Sequence, residues 1–230
     1  MKLLAIDCSA RFCAACIHDT NTDRELGRMV LDLGKGHAEH LTGVVEDAMM
    51  AAGVEFSDLG AVAVSVGPGS FTGVRVGVSA ARGYALALGI PAIGVTTLEA
   101  IAAEARDVSG PVNVLAALDG GRGEIQAAVY DGAGATLFQP AVIDLKQAVA
   151  LARQFSARLA GTAAERIAAA LQDPGLAAGP LAATADIGVY ARLAAKKQPT
   201  EKPRPLYLRE PDAKPQAGFI LPRSTQNGGR

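Results

Sequence analysis

The chain has 230 residues, half of them hydrophobic, enough to bury one core of ordinary size or two small ones. Its formal net charge of −1 argues against coating nucleic acid or anionic membrane by bulk electrostatics, though RNA contact through a local patch or a partner stays open. Asp7 interrupts "MKLLAI" before a signal-peptide core could form, and "YALALGIPAIGV" is too short, and too broken by Gly89 and Pro91, to span a bilayer. A cytoplasmic chain with no membrane partner is expected.

In chain order, "KLLAID", "FCAACIHD" and "ELGRMVLDL" read as three strands, with a turn at 8–11 and "TNTD" between the second and third. In "HAEHLTGVVEDAMMAAG" the apolar residues Leu41, Val44, Val45, Ala48, Met49 and Ala52 fall on one helical face that Gly53 closes. "AVAVSV" is a buried strand, "SVGPGSFTGVRVGVSAAR" a glycine turn running into a second helix, "PAIGV" a strand and "TLEAIAAEAR" a third helix. Three strands, helix, strand, helix, strand, helix describes a mixed sheet whose parallel strands are joined by crossover helices. After a boundary near "DVSGP", "VNVLAALD", "GEIQAAVYD" and "ATLFQP" repeat the three-strand opening, and helical runs follow at 146–155, 163–171 and 186–197. The second half thus reads as a shortened copy of the first, with lobes at 1–107 and 108–210 facing a cleft and a loose tail over 211–230.

The glycine turn fits neither phosphate-loop pattern. The Gly67–Gly73 spacing is wrong for a Walker loop, no lysine follows, and Thr72 spoils the dinucleotide fingerprint. A free helix N-terminus can hold an anion without either motif; otherwise the glycines serve a tight turn beneath a closely packed helix. That helix is apolar on two sides, with Val74, Val78, Ala81, Ala85 and Leu88 opposite a small-residue stripe of Val76, Ala80, Gly83 and Ala87. Gly77 and Gly83 each cost roughly 1 kcal/mol against alanine, so close approach of another helix, in the same lobe or in a partner, is the expected compensation. Arg75 and Arg82, seven apart, would sit at the rim of that contact.

Other constellations carry less. Cys8, Cys13 and Cys16 open an iron–sulfur spacing, but no fourth cysteine exists, and Cys13 and Cys16 point to opposite faces of one strand. They read as reduced, buried thiols. His37 and His40 are spaced i, i+3, unlike a zinc-protease helix, and read as a polar helix start. Asp7 beside Ser9 could orient a metal–phosphate group or cap its turn. Asp119, Arg122 and Glu124 occupy the matching hairpin of the second half, where an ion pair across the hairpin is the simpler reading. No Ser–His–Asp or Cys–His set and no catalytic carboxylate pair is apparent, so no catalytic or metal-ligating residue is assigned.

Together "LAIDCSARFCAACI", "HAEHL", "GPGSFTGVR", "LDGGRGEIQAAVYD" and "PLYLREPDAK" resemble the TsaB family, previously named YeaZ, from Lys2 to about Lys214. The resemblance implies an α/β, two-lobed fold of the actin/Hsp70/sugar-kinase superfamily (ribonuclease H-like), with tandem mixed sheets and a shortened second lobe. It also implies a non-catalytic scaffold that pairs with the related TsaD and the ATPase TsaE. Those proteins, with threonylcarbamoyl-adenylate from TsaC, place threonylcarbamoyl on the adenosine next to the anticodon of certain tRNAs. Contact with tRNA would then be indirect.

Where TsaD resembles "VNHxEGH" and its two histidines hold a metal, this chain has Thr97 and Ile101, and an isoleucine cannot be a ligand. Gly161 in "LAGTAA" stands alone where nucleotide-binding members of the superfamily have two glycines. Asp7, Ser9 and Gly161 are therefore expected to line a remnant cleft without a cofactor of its own, leaving open a nucleotide at the joint with TsaD. The family's partner contact carries over to Leu41, Val45, Met49, Arg75, Ala80, Arg82 and Ala87, and the same helices imply a homodimer when TsaD is absent. The competing reading is an active phosphotransferase or metallopeptidase-like enzyme of the same superfamily.

Overall fold

The structure is a computed structural model that describes residues 1–177, 179–199 and 201–209. The expected tail over 211–230 lies outside the described residues. Strands β1 (Lys2–Asp7), β2 (Phe12–Asp19) and β3 (Arg24–Asp32) form an antiparallel meander, followed by α1 (His37–Ala52), β4 (Leu59–Ser65), α2 (Phe71–Leu88), β5 (Ala92–Val95) and α3 (Thr97–Ser109). The five strands make one sheet in the order β3-β2-β1-β4-β5, with β4 and β5 parallel to β1.

The second half repeats this pattern and stops early. β6 (Val114–Gly121), β7 (Glu124–Tyr130) and β8 (Thr136–Ile143) form a meander, α4 (Leu145–Gln154) follows, and a three-residue β9 (Arg158–Ala160) pairs parallel to β6. The order β8-β7-β6-β9 is the first sheet's without its fifth strand. This is the α/β tandem of mixed sheets expected from the sequence, with its second copy shortened. β8 runs on through Pro140, past the expected end of the strand, because an edge strand does not need that N–H. β9 escaped the sequence reading because three residues carry no periodicity.

Period-two alternation sorts each strand into two cores. Leu4, Ile6, Cys13, Ala15 and Ile17 face α1 and α2, while Leu3, Ala5, Ala14 and Cys16 face the opposite way. In the second sheet, Leu115 and Ala117 face α4 and α5 (Ala164–Leu171), and Val114, Ala116 and Leu118 face inward. Between the two sheets lie α3 and the last helix among the described residues, α6 (Ile187–Ala195). The helix read as part of the second half thus packs against β1, β2, β4 and β5 of the first sheet. Tyr190 on α6 is fully buried, and this middle core draws residues from both sheets.

Candidate functional site

The glycine turn lies directly on the β1–β2 turn. A side chain at Gly69 would overlap the Ser9 carbonyl, and one at Gly73 the Cys8 carbonyl, so both positions demand glycine. Ser70 N–H donates to the Ser9 carbonyl at 2.6 Å, and Ser70 Oγ caps α2 by accepting from Gly73 N–H at 3.2 Å. Val74 N–H donates to the Ser70 carbonyl. The donors a phosphate would use at this helix start are thus largely engaged inside the chain. The turn glycines serve close packing.

Asp7 ends β1 almost fully buried. Its carboxylate accepts from Ser9 N–H (2.8 Å), from Thr184 Oγ1 (2.7 Å) and from Ser65 Oγ, and Thr184 meets the Tyr190 hydroxyl at 2.7 Å. Of the two roles considered for Asp7, the geometry matches the cap, extended into a tie between β1, β4 and the α6 segment. Burial pushes the Tyr190 hydroxyl far above its ordinary pKa, so it stays a neutral hydrogen-bonding group. Ser9 is buried as well, 3.4 Å from Thr184.

Ser9 also borders a cleft of about 760 Å³ between the two halves, walled by the glycine turn on one side and Leu118, Asp119, Gly120, Gln126 and Thr162 on the other. Leu206–Arg209 crosses its mouth. Leu206 N–H donates to the Val66 carbonyl, and Tyr207 meets Phe71 at 5.5 Å between ring centroids. Arg75 sits 3.9 Å over the Phe71 ring and donates to the Tyr207 hydroxyl at 2.6 Å. Arg209 then reaches the second half, donating to the Gly120 carbonyl at 3.0 Å and to the Glu124 carboxylate.

Glu124 therefore pairs with this strap, and Asp119 with Arg166 at 3.6 Å. Arg122 occupies the hairpin turn at a left-handed φ of 54°. Gly161 (φ 92°) presses on the Ala117 carbonyl and donates its N–H to the Pro180 carbonyl, so it serves β6–β9 packing and does not reach the cleft wall. Thr97 and Ile101, at the start of α3, are fully buried in the middle core. His37 is buried against the Phe12 carbonyl (3.2 Å) and His40 is exposed, so the two do not face a common point. No group of three ligating side chains converges among the described residues.

The expected contact face divides. Leu41, Val45 and Met49 are buried beneath the first sheet and belong to the chain's own core, which corrects their placement on a partner surface. The clean apolar face of α1 is the one that β2 and β3 cover. On α2, Val74, Val78, Ala81 and Ala85 are buried likewise, whereas Arg75, Arg82 and Ala87 are exposed and Ala80 half-buried. The outward faces of α1 and α2 adjoin, Tyr84 of α2 stacking on Phe56 just beyond α1. Met50 and Leu86 are 76% and 82% exposed there, and the exposed helix-interior glycines Gly43 and Gly83 have open space where a side chain would stand. Sequence reasoning missed Thr184, Tyr190, Tyr207 and Arg209. The only signal was the "PLYLR" string, whose role depends on what it lies across.

The family described as TsaD, tRNA N6-adenosine threonylcarbamoyltransferase, matches residues 32–168, more than half of the chain. The Escherichia coli protein described as tRNA threonylcarbamoyladenosine biosynthesis protein TsaB is 35% identical over 130 residues, or 56% of this chain and 55% of that protein, so the match spans about half of that relative. An uncharacterized protein of Mycobacterium tuberculosis is 35% identical over 221 residues, 94% of this chain and 95% of its own length. Among solved structures, YeaZ from Pseudomonas aeruginosa superposes with a TM-score of 0.68 at 27% identity, covering 84% of this chain and 91% of that one.

Proposed function

We propose that this chain, which belongs to the TsaD family and within it to the TsaB (YeaZ) proteins, acts in tRNA threonylcarbamoyladenosine biosynthesis as a non-catalytic scaffold that pairs with TsaD and works with TsaE. The observation that carries the reading is the outward α1–α2 face. Gly43 and Gly83 each cost helix stability, roughly 1 kcal/mol relative to alanine, yet no atom of the described residues lies within 4 Å of where a side chain would stand. Close approach of a partner's helices would supply the missing reason. Exposed Met50 and Leu86 add apolar surface to the same face. Arg75, Ala80, Arg82 and Ala87 are the residues assigned to the contact; acidic Glu46 and Asp47 across from them on α1 would complement a basic partner helix.

The non-catalytic part of the proposal is supported by residue chemistry. Thr97 and Ile101 stand where TsaD-like sequences carry histidines, and both are packed into the middle core. The glycine turn is pressed onto the β1–β2 turn, where Ser70 N–H donates to the Ser9 carbonyl, while Gly73 and Val74 N–H donate back to Ser70.

The test reconstitutes tRNA threonylcarbamoylation with TsaC, TsaD and TsaE, with and without this chain, beside size-exclusion chromatography with TsaD. Modification is expected to require the chain, and the two proteins to co-elute. Ala80→Arg and Gly83→Leu should each weaken pairing at least tenfold while the melting profile stays cooperative. A folded variant that pairs with unchanged affinity overturns the face, and modification that proceeds without the chain overturns the role.

A further inference from the structure

Cys8 and Cys13 are the one pair of thiols in contact among the described residues. The β1–β2 ladder runs in register from Lys2↔Asp19 to Asp7↔Ala14, so the next step along it sets Cys8 directly opposite Cys13. Residues opposed in this way have Cα atoms about 4.5–5.5 Å apart, inside the range a disulfide tolerates. Their sulfurs are 3.8 Å apart, both thiols are free, and both are buried on the α1–α2 side of the sheet. Cys16 sits on the opposite side, in the middle core, and cannot compete for either.

We propose that Cys8 and Cys13 form an oxidisable dithiol that hydrogen peroxide closes to an intramolecular disulfide across the β1–β2 turn. The hydrogen bond between the two sulfurs favours one thiolate at the other's expense, lowering Cys13 against burial and Asp7 and raising Cys8 together with burial; with Cys13 as the nucleophile, or Cys8 in its place, the product is the same disulfide. The Cys13 thiolate takes an oxygen from the peroxide as the O–O bond breaks, giving a sulfenic acid and hydroxide. Cys8 attacks that sulfur, its proton passing to the hydroxide, and the sulfenic oxygen leaves as water with the proton released when Cys13 ionised. Two thiols and one peroxide become one disulfide and two waters. Both sulfurs are buried, and the turn that joins the two cysteines, Ser9, Ala10 and Arg11, lines the cleft, so peroxide would reach them by displacement of that turn. The new bond lies beneath α2, whose Gly77 packs on the Cys8 side chain.

Trypsin cutting after Arg11 separates the Cys8 peptide from the peptide that carries Cys13 and Cys16, so the bond is read directly on the folded wild-type chain. Hydrogen peroxide is added, free thiols are blocked with N-ethylmaleimide in denaturant, and intact mass and tryptic peptides are measured. The expected result is two fewer maleimide additions, and the two peptides linked through Cys13 with Cys16 alkylated. Cys16→Ala should keep the link and Cys13→Ser should lose it. Unlinked peptides, a link through Cys16, or stepwise oxidation of Cys13 to sulfinic acid with Cys8 still alkylated would each overturn the proposal. The wild-type peptide map decides the matter even if a variant fails to fold.

Discussion

Gly73 and Gly83 sit on the same helix ten residues apart, and the fold uses them in opposite ways. At Gly73 a side chain would overlap the Cys8 carbonyl, which belongs to a ladder-bound turn and cannot give way. Gly73→Ala is therefore expected to destabilise the chain by at least about 2 kcal/mol in urea unfolding, the usual scale for forced overpacking. At Gly83 the same substitution meets open space and relieves a flexible, exposed helix position. Gly83→Ala should raise stability by up to about 1 kcal/mol. Loss of stability at Gly83, or none at Gly73, would mean that the packing of α2 differs from that described. The sequence marks both glycines as unusual for a helix, but it cannot say which contact excuses each one. That answer lies in the position of the Cys8 carbonyl, set by a turn sixty residues away.

The elements show the same division between what is local and what is not. Hydrophobic periodicity places α1 through α3 and the two meanders, because each buries one face and the spacing of apolar residues reports it. It does not report what the face is buried against, so α1's clean stripe looks like a docking surface until β2 and β3 are seen to cover it. α6 is the sharper example, read from its own pattern as a helix of the second half and found on the first sheet. Asp186 fixes its start by accepting from Gly188 N–H at 2.8 Å and from Arg28 Nη1 of β3, also at 2.8 Å. Burial pushes the Asp186 carboxyl up, but those hydrogen bonds outweigh it and hold it below the usual carboxylate range. A depressed value contributes stability that is complete above the unfolded carboxyl's pKa of ~3.9 and is lost as pH falls through the folded value. Asp186→Ala should cost about 1–2 kcal/mol at neutral pH, mostly from the lost cap. Asp186→Asn keeps a capping oxygen and should cost less than about 1 kcal/mol, the scale of a half-exposed ion pair. Unfolding curves from pH 7 to pH 3 should show the wild-type and Asp186→Asn stabilities converging below about pH 4; a constant gap would remove the Arg28 pairing from the account.

At the scale of the molecule, the two repeats are tied through a shared middle layer and cannot be expected to fold apart. α3 packs on β6, β7 and β9 of the second sheet, α6 packs on β1, β2, β4 and β5 of the first, the two helices pack on each other, and the Asp7–Thr184–Tyr190 tie binds the α6 segment to β1. The strap adds a second bond between the halves, from Val66 and Arg75 to Gly120 and Glu124. Removing residues 108–230 would uncover Leu3, Ala5, Ala63, Leu98 and Ile101, all 0% exposed in the whole chain. Burying Leu3, Leu98 or Ile101 stabilises by about 1.5–3 kcal/mol each and an alanine by about 0.8, so exposing this set would consume most of the 5–15 kcal/mol that a folded domain has in hand. The full chain should therefore unfold in one transition, with tyrosine near-ultraviolet and backbone far-ultraviolet dichroism superimposable, since Tyr130 and Tyr190 both report on the middle core. The isolated fragment of residues 1–107 should keep helical dichroism but melt without cooperativity and bind a hydrophobic dye. A fragment that melts cooperatively on its own would show that the first sheet closes its inner face without α6, and that the middle layer joins two domains that are each already stable.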